Sequence, residues 1–183
     1  MSYGSDMVLT LFTDDPELAR SADRAGVDRI GIDMEQIGKA ARQQHLATWI
    51  SNHTVTDLAA IRPVLQRAQL FVRCNPVHRE SAAEIDCLVD AGVKVIMLPF
   101  FKTVADAELF VRLVDERAHP VLLLEPAEAA AAIADLCRVP GVSEIHIGLN
   151  DMRLSLGWPS HFHVLVSDFL VNVCTVIRNA GHR

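Results

Sequence analysis

The chain has 183 residues, half of them hydrophobic, and a formal net charge of −6. That length suits one folded domain over residues 1–183 with a sizeable buried core, and the apolar content excludes a disordered chain. An acidic balance with no Lys/Arg cluster argues against nucleic acid or an anionic membrane surface as a partner, and no apolar run approaches the ~18 residues of a membrane span. The N-terminal stretch Met1–Asp6 lacks the basic region and apolar core of a signal peptide. Cys74, Cys87, Cys137 and Cys174 form no CxxC pair and lie in apolar segments. They read as reduced, buried packing residues of a cytoplasmic protein.

Strand-like runs alternate with amphipathic helical stretches along the whole chain. Met7 to Phe12 is the first predicted strand, and Asp14-Asp15-Pro16 opens a helix that closes at Ala25-Gly26. Val27 to Asp33 is the second strand. Residues 38 to 50 are predicted helical, and Thr54–Asp57 caps a longer helix to about Ala68. Leu70 to Cys74 is the third strand, followed by a helix from Ser81 to Ala91 that ends at Gly92. Val93 to Leu98 is the fourth strand, Thr103 to Arg117 a helix, and Pro120 to Glu125 the fifth strand. An alanine-rich helix, Ala127 to Cys137, leads to the sixth strand, Ser143 to Ile147. A loop with Gly148, Gly157 and Pro159 precedes a final helix from about Val164 to Ala180.

Arg73 to Pro99 and Pro99 to Glu125 span 26 residues each, and Glu125 to Gly148 spans 23. One strand, one helix and two short loops fill such a unit. The pattern predicts an α/β fold of the (β/α) TIM-barrel type, incomplete, with about six βα units where a closed barrel has eight. A seventh strand is expected where the chain stops, so either the chain is truncated or something else covers the open edges. A doubly wound sheet is the rival architecture, but no glycine-rich phosphate loop follows any strand.

Three strand-like runs end on residues able to do chemistry. Leu70-Phe71-Val72 runs into Arg73, Val121–Leu124 into Glu125, and Ile145-His146-Ile147 into Gly148-Leu149-Asn150-Asp151. In a parallel barrel these ends share the face that carries the active site. One cation and two carboxylates there suit a divalent metal ion and an anionic, oxygen-rich substrate. Each residue also has a plainer reading. Glu125 could be a first-turn helix acid, Asp151 an N-cap, and Arg73 half of an ion pair with Asp33 or Glu35. His161-Phe162-His163 lacks the further ligands that zinc requires.

Leu70–Pro76, Asp90–Pro99, Glu125, Gly148–Met152 and Asp28–Glu35, in that order and spacing, resemble the HpcH/HpaI aldolase/citrate lyase β-subunit family of pyruvate/phosphoenolpyruvate-type barrels. The resemblance runs from about residue 8 to the C-terminus. It implies a lyase that makes or breaks carbon–carbon bonds with Mg²⁺ or Mn²⁺, held by Glu125 and Asp151. Arg73 would hold the keto or enolate oxygen of a pyruvate-like unit, with backbone N–H groups near Gly148, Leu149 and Asn150 on its carboxylate. No Schiff-base lysine is then needed; Lys94 lies away from the mouth, and Lys39 and Lys102 are expected to be solvated.

Glu35 is the acid of the second strand and joins Arg73 as a catalytic candidate. In the aldolase branch a histidine follows that acid, whereas here Gln36 does. His53, ahead of the Thr54–Asp57 cap, or His45 is the replacement base, with an idle loop histidine as the alternative reading. Gln36 and the basic stretch Lys39–Arg42 look closer to the citrate lyase-like branch. The expected protein is a cytoplasmic homo-oligomer acting on a 2-oxo acid such as pyruvate. A citrate lyase-like acyl-CoA lyase and a non-catalytic binding or assembly module are the alternatives.

Overall fold

The computed structural model describes residues 7–39 and 51–183. Six strands pair in chain order, every neighbour parallel: β1 (Thr10–Phe12), β2 (Arg29–Asp33), β3 (Gln69–Arg73), β4 (Val95–Leu98), β5 (His119–Leu124) and β6 (Ile145–Ile147). Unbroken chain order is the signature of a barrel, because a doubly wound sheet reverses direction at a switch point. The sheet is curled. Arg29 at the start of β2 donates to both carboxylate oxygens of Glu144, just before β6, at 2.6 and 2.8 Å. Strands four places apart in a sheet can be bridged by one side-chain pair only if the sheet bends round. The fold is an incomplete α/β barrel.

Alternation along the strands divides two cores. Phe71, Val95, Met97, Val121 and Leu123 point inward and form one buried cluster. Ile30, Ile32, Leu70, Val72, Ile96, Leu98, Leu122 and Leu124 point outward, where Leu58, Ile61, Ile85, Leu88, Phe110 and Val114 of the helices cover them. Strands buried on both faces explain the near-continuous apolar runs of the sequence.

The helices follow their sequence signals, with several shorter than predicted. In α1 (Pro16–Ala25) Asp15 caps by accepting from Glu17 N at 2.8 Å, and Gly26, at φ 95°, closes the helix. The helix expected to reach Ala68 is α2 (Val55–Ile61) with a 3₁₀ turn over Arg62–Val64. Pro63 cannot continue the helical hydrogen bonding. Beyond it Asp23 accepts from the N–H groups of Gln66, Arg67 and Ala68, holding that backbone in a non-helical path. The next two helices are α3 (Ser81–Asp90) and α4 (Val104–Val114). The alanine-rich helix divides at Ala132 into α5 (Ala127–Ala131) and α6 (Ile133–Leu136).

Asp151 was expected in a loop but lies in α7 (Leu149–Ser155). The last predicted helix is two, α8 (His161–Leu165) and α9 (Asp168–Asn179). Ser167 separates them, its hydroxyl accepting from Leu170 N and donating to Val164 O. After α9 the backbone of Arg183 pairs beside β6, donating to Ser143 O and accepting from Ile145 N. The helix predicted over 38 to 50 falls almost wholly outside the described residues, as do His45 and Arg42. The cysteines correct one expectation: all four are free thiols, but Cys87 is exposed and Cys174 half-buried, with only Cys74 and Cys137 buried. Among the described residues no helix is long and apolar enough to cross a membrane.

Candidate active site

Parallel pairing aligns the strand ends and so converts scattered residues into one surface. Asp33 ends β2 in register with Arg73, which ends β3. Glu125 follows β5, and Gly148 follows β6 and leads into α7. A cavity of about 350 Å³ opens there, lined by Glu35, Arg73, Glu125, His146, Gly148 and Asp151, with Leu123, Ile147, Leu149 and Asn150 completing its wall.

Arg73 is held from several sides. Its Nε and Nη2 donate to the two oxygens of Asp33 at 2.8 and 2.7 Å, a forked geometry that fixes the guanidinium plane. Nε lies 3.5 Å from Glu35 and Nη1 lies 3.9 Å from Glu125. The Phe12 ring sits 5.4 Å from the guanidinium carbon. Burial works to raise the Asp33 carboxyl, but hydrogen bonds and charge from Arg73 and Lys39 outweigh it and hold the group well below the usual carboxylate range. Burial likewise opposes the Arg73 charge, and Asp33, Glu35 and Glu125 together raise its proton affinity above the ordinary value.

Lys39 overturns its expectation. It is buried, 3 % exposed, hydrogen-bonded to Asp33 and 3.8 Å from Glu35. A lysine is buried only where partners offset its desolvation, and the two acids of the β2 end supply them. The segment carrying Glu35 is itself pinned. Asn75 Oδ1 accepts from the N–H groups of Gln36 and Ile37 at 2.9 and 3.0 Å, while its Nδ2 donates to Glu84 at 2.8 Å.

Glu125 and Asp151 are both buried. The close approach of the two loops depends on Gly148, where a Cβ would lie 2.6 Å from Glu125 Cγ. Of the predicted residues, Arg73, Glu35, Glu125, Gly148, Leu149, Asn150 and Asp151 come together at one cavity. His53 does not line it. Its Nδ1 accepts from Asp33 N at 3.1 Å and its Nε2 lies 3.7 Å from Asp14, so it backs the β2 end from outside. His146 lines the cavity although nothing in the sequence reading singled it out. The available signal was alternation, since Glu144, His146 and Gly148 share the inward parity of β6.

Among the described residues no three His, Cys, Asp or Glu side chains gather as a metal site made of protein ligands alone. The donor set nevertheless fits a hard cation. Among the described residues Glu125 and Asp151 bring two buried carboxylates to the cavity wall. Mg²⁺ typically takes one or two carboxylates and fills its octahedron with water and substrate oxygens.

The fold and this cavity together define an α/β-barrel protein with an acid-rich mouth at the C-terminal ends of its strands. The sequence matches the HpcH/HpaI aldolase/citrate lyase family over residues 7–181. The chain belongs to that family, a family of lyases. No curated protein matches it in sequence. Solved structures with the same fold include the citrate synthase SbnG, with a TM-score of 0.75 and 21 % identity over 97 % of this chain and 76 % of that one. An HpcH/HpaI aldolase from Desulfitobacterium hafniense DCB-2 superimposes with a TM-score of 0.74 at 18 % identity, over 96 % of this chain and 73 % of its own. The citrate lyase β subunit from M. tuberculosis, solved with oxaloacetate and magnesium, gives 0.63 at 22 % identity, over 94 % and 71 %.

Proposed function

We propose that the protein is a metal-dependent carbon–carbon lyase of the class II aldolase type, making or breaking a bond to the enolate of a pyruvate-like 2-oxo acid. The observation that carries this reading is the joint lining of one cavity by Arg73, Glu125 and Asp151. Glu125 and Asp151 would hold Mg²⁺ or Mn²⁺, two carboxylate oxygen donors being what such an ion typically takes from a protein. When bound, such an ion supplies Lewis-acid stabilisation of a developing enolate.

The chain's own residues do the rest. Asp33 occupies Nε and Nη2 of Arg73, so Nη1 remains as the donor edge toward Glu125 and the substrate. That edge offers a permanent positive charge to the keto oxygen as it becomes an enolate oxygen. Lys39 holds Asp33 and Glu35 stands beside both cations at the cavity wall, so Arg73 needs no reorganisation as charge develops. Gly148 N donates to Leu124 O at 2.9 Å. The first-turn N–H groups of Leu149 and Asn150 have no carbonyl partner within α7, and they are the donors for the substrate carboxylate.

Buried Lys39 beside Glu35, together with Gln36, favours a second reading, a citrate lyase-like enzyme acting on an acyl-CoA thioester. The magnesium and oxaloacetate of the M. tuberculosis neighbour suit either reaction. The deciding experiment is proton NMR of pyruvate in D₂O with the protein, with and without Mg²⁺. Metal-dependent loss of the methyl signal that disappears in Arg73→Ala is the expected result. Absence of exchange in the wild type would refute the pyruvate reading and turn the search to acyl-CoA substrates.

A further inference from the structure

Among the described residues the cavity wall carries carboxylates, one guanidinium and one side chain of a different kind. His146 stands on β6 in register with Leu123 of β5 and shares the cavity wall with Arg73, Glu125 and Asp151. Among the described residues it is the one histidine in that wall. Carboxylates and guanidinium groups keep a fixed charge at neutral pH in ordinary surroundings, whereas an imidazole both takes and releases a proton there. The position also has a chemical logic. The oxygens of a pyruvate-like unit are drawn to Arg73 and the 148–151 loop, which leaves its methyl carbon for the deeper wall. That wall is built from apolar Leu123 and from His146.

We propose that His146 is the proton-transfer residue of this site, taking a proton from the methyl carbon beside the keto group. The electron pair of that C–H bond becomes the new C=C bond of the enolate. The keto oxygen takes the negative charge beside Arg73, and the proton rests on a ring nitrogen. Return of the proton to carbon restores the keto acid, so no other reactant is required. The assignment rests on the pyruvate reading above and identifies the base that Gln36 cannot supply.

The surroundings keep the ring ready for this role. Leu123 faces it from β5, Glu144 adjoins it on β6, Arg29 and Arg73 act from β2 and β3, and Glu35, Glu125 and Asp151 stand in the cavity wall. The side chain is exposed to the open cavity, yet partial desolvation against the wall pushes the imidazole below its ordinary value, and the charges of Arg29 and Arg73 add to this while Glu144 opposes it. A neutral ring at pH 7 is a competent base.

The test compares wild type, His146→Gln and His146→Phe in the Mg²⁺-dependent deuterium exchange of pyruvate, after thermal melts establish that each variant is folded. Exchange is expected to fall by about 100-fold or more, with pyruvate and Mg²⁺ dissociation constants by calorimetry changed less than about twofold. The acid limb of the rate–pH profile, set by an imidazole titrating below its ordinary value, is expected to vanish in both variants. Independently of turnover, the His146 C2–H resonance of the wild type is expected to shift when pyruvate is added with Mg²⁺. A His146→Gln protein that exchanges at the wild-type rate with its acid limb intact, or a His146 resonance unmoved by pyruvate, overturns the assignment and leaves the aldolase reading standing. A wild type that binds metal without exchanging pyruvate overturns both.

Discussion

The barrel carries a buried ion cluster at each end of its strands, and the two differ in charge balance. At the foot, Glu144 is surrounded. It accepts two bonds from Arg29, one from His119 at 3.0 Å and one from Arg183 at 2.8 Å. One carboxylate meets two guanidinium groups and an imidazole, and no negative charge is left over. Among the described residues at the mouth, four carboxylates meet one arginine and one lysine around an open cavity. The foot satisfies its charges internally and ties β2 to β6; the described residues of the mouth are acid-rich and face the cavity. Buried ion clusters therefore do not mark function by themselves. In this barrel the acid-rich cluster is the one that faces a cavity, in line with the rule that such barrels hold chemistry at the C-terminal face and stability at the other.

The comparison breaks most sharply through the foot. Glu144→Ala leaves the buried Arg29 without its carboxylate and should cost about 3–5 kcal/mol in folding stability, read by urea unfolding. Pyruvate exchange below its melting point should fall far less than in Arg73→Ala, with its acid limb moved to lower pH because Glu144 no longer supports the His146 proton. If the variant keeps full stability, the foot is not the staple described here.

Arg73→Ala makes the complementary cut at the mouth. Pyruvate exchange should fall by about 10²–10³-fold or more, since one oxyanion donor carries that much. Some stability should also go, because Asp33 then has Lys39 as its remaining side-chain cation. Glu125→Gln and Asp151→Asn each remove one charge with little change in shape. Each should weaken Mg²⁺ binding by more than about tenfold, or ~1.4 kcal/mol, in calorimetry; unchanged affinity in both would move the metal elsewhere.

Acid probes both ends at once. Asp33 and Glu144 are each depressed against the pull of burial, Asp33 by Arg73 and Lys39, and Glu144 by His119, Arg29 and Arg183. Below ordinary carboxyl values of about 4 the unfolded chain binds more protons than the native one. The stability these two groups contribute is therefore fully present above that pH and is lost as pH falls toward their native values. Asp33→Asn or Glu144→Gln should flatten the stability–pH curve in that acid window. The smallest effect belongs to Asn75→Ala, which releases the Gln36 and Ile37 N–H groups. A loss of about 1 kcal/mol and a raised KM for pyruvate are expected.

Much of this molecule was legible in one dimension. Apolar runs buried on both faces, a helix opened by Asp14-Asp15-Pro16 and closed at Gly26, and unit lengths of 23 to 26 residues specify a parallel barrel through local propensity and alternation. Arg73, Glu125 and Asp151 stand out because each interrupts or follows such a run. The breaks in the helices were less legible. Ser167 caps α9 inside a stretch whose apolar spacing reads as continuous, and Asp23 holds residues 66–68 from more than forty positions away.

What only the tertiary structure decided is which charges meet. A lysine such as Lys39 is solvated by default, and nothing local says that Asp33 and Glu35 will enclose it. Two ordinary strand residues, Arg29 and Glu144, become a staple because curling the sheet brings β2 to β6. His146 lies in an unremarkable Ile-His-Ile run, and its place in the cavity wall follows from pairing register and sheet curvature. Local sequence sets backbone preference and alternation, whereas electrostatic partnership depends on distances that the chain acquires only by folding.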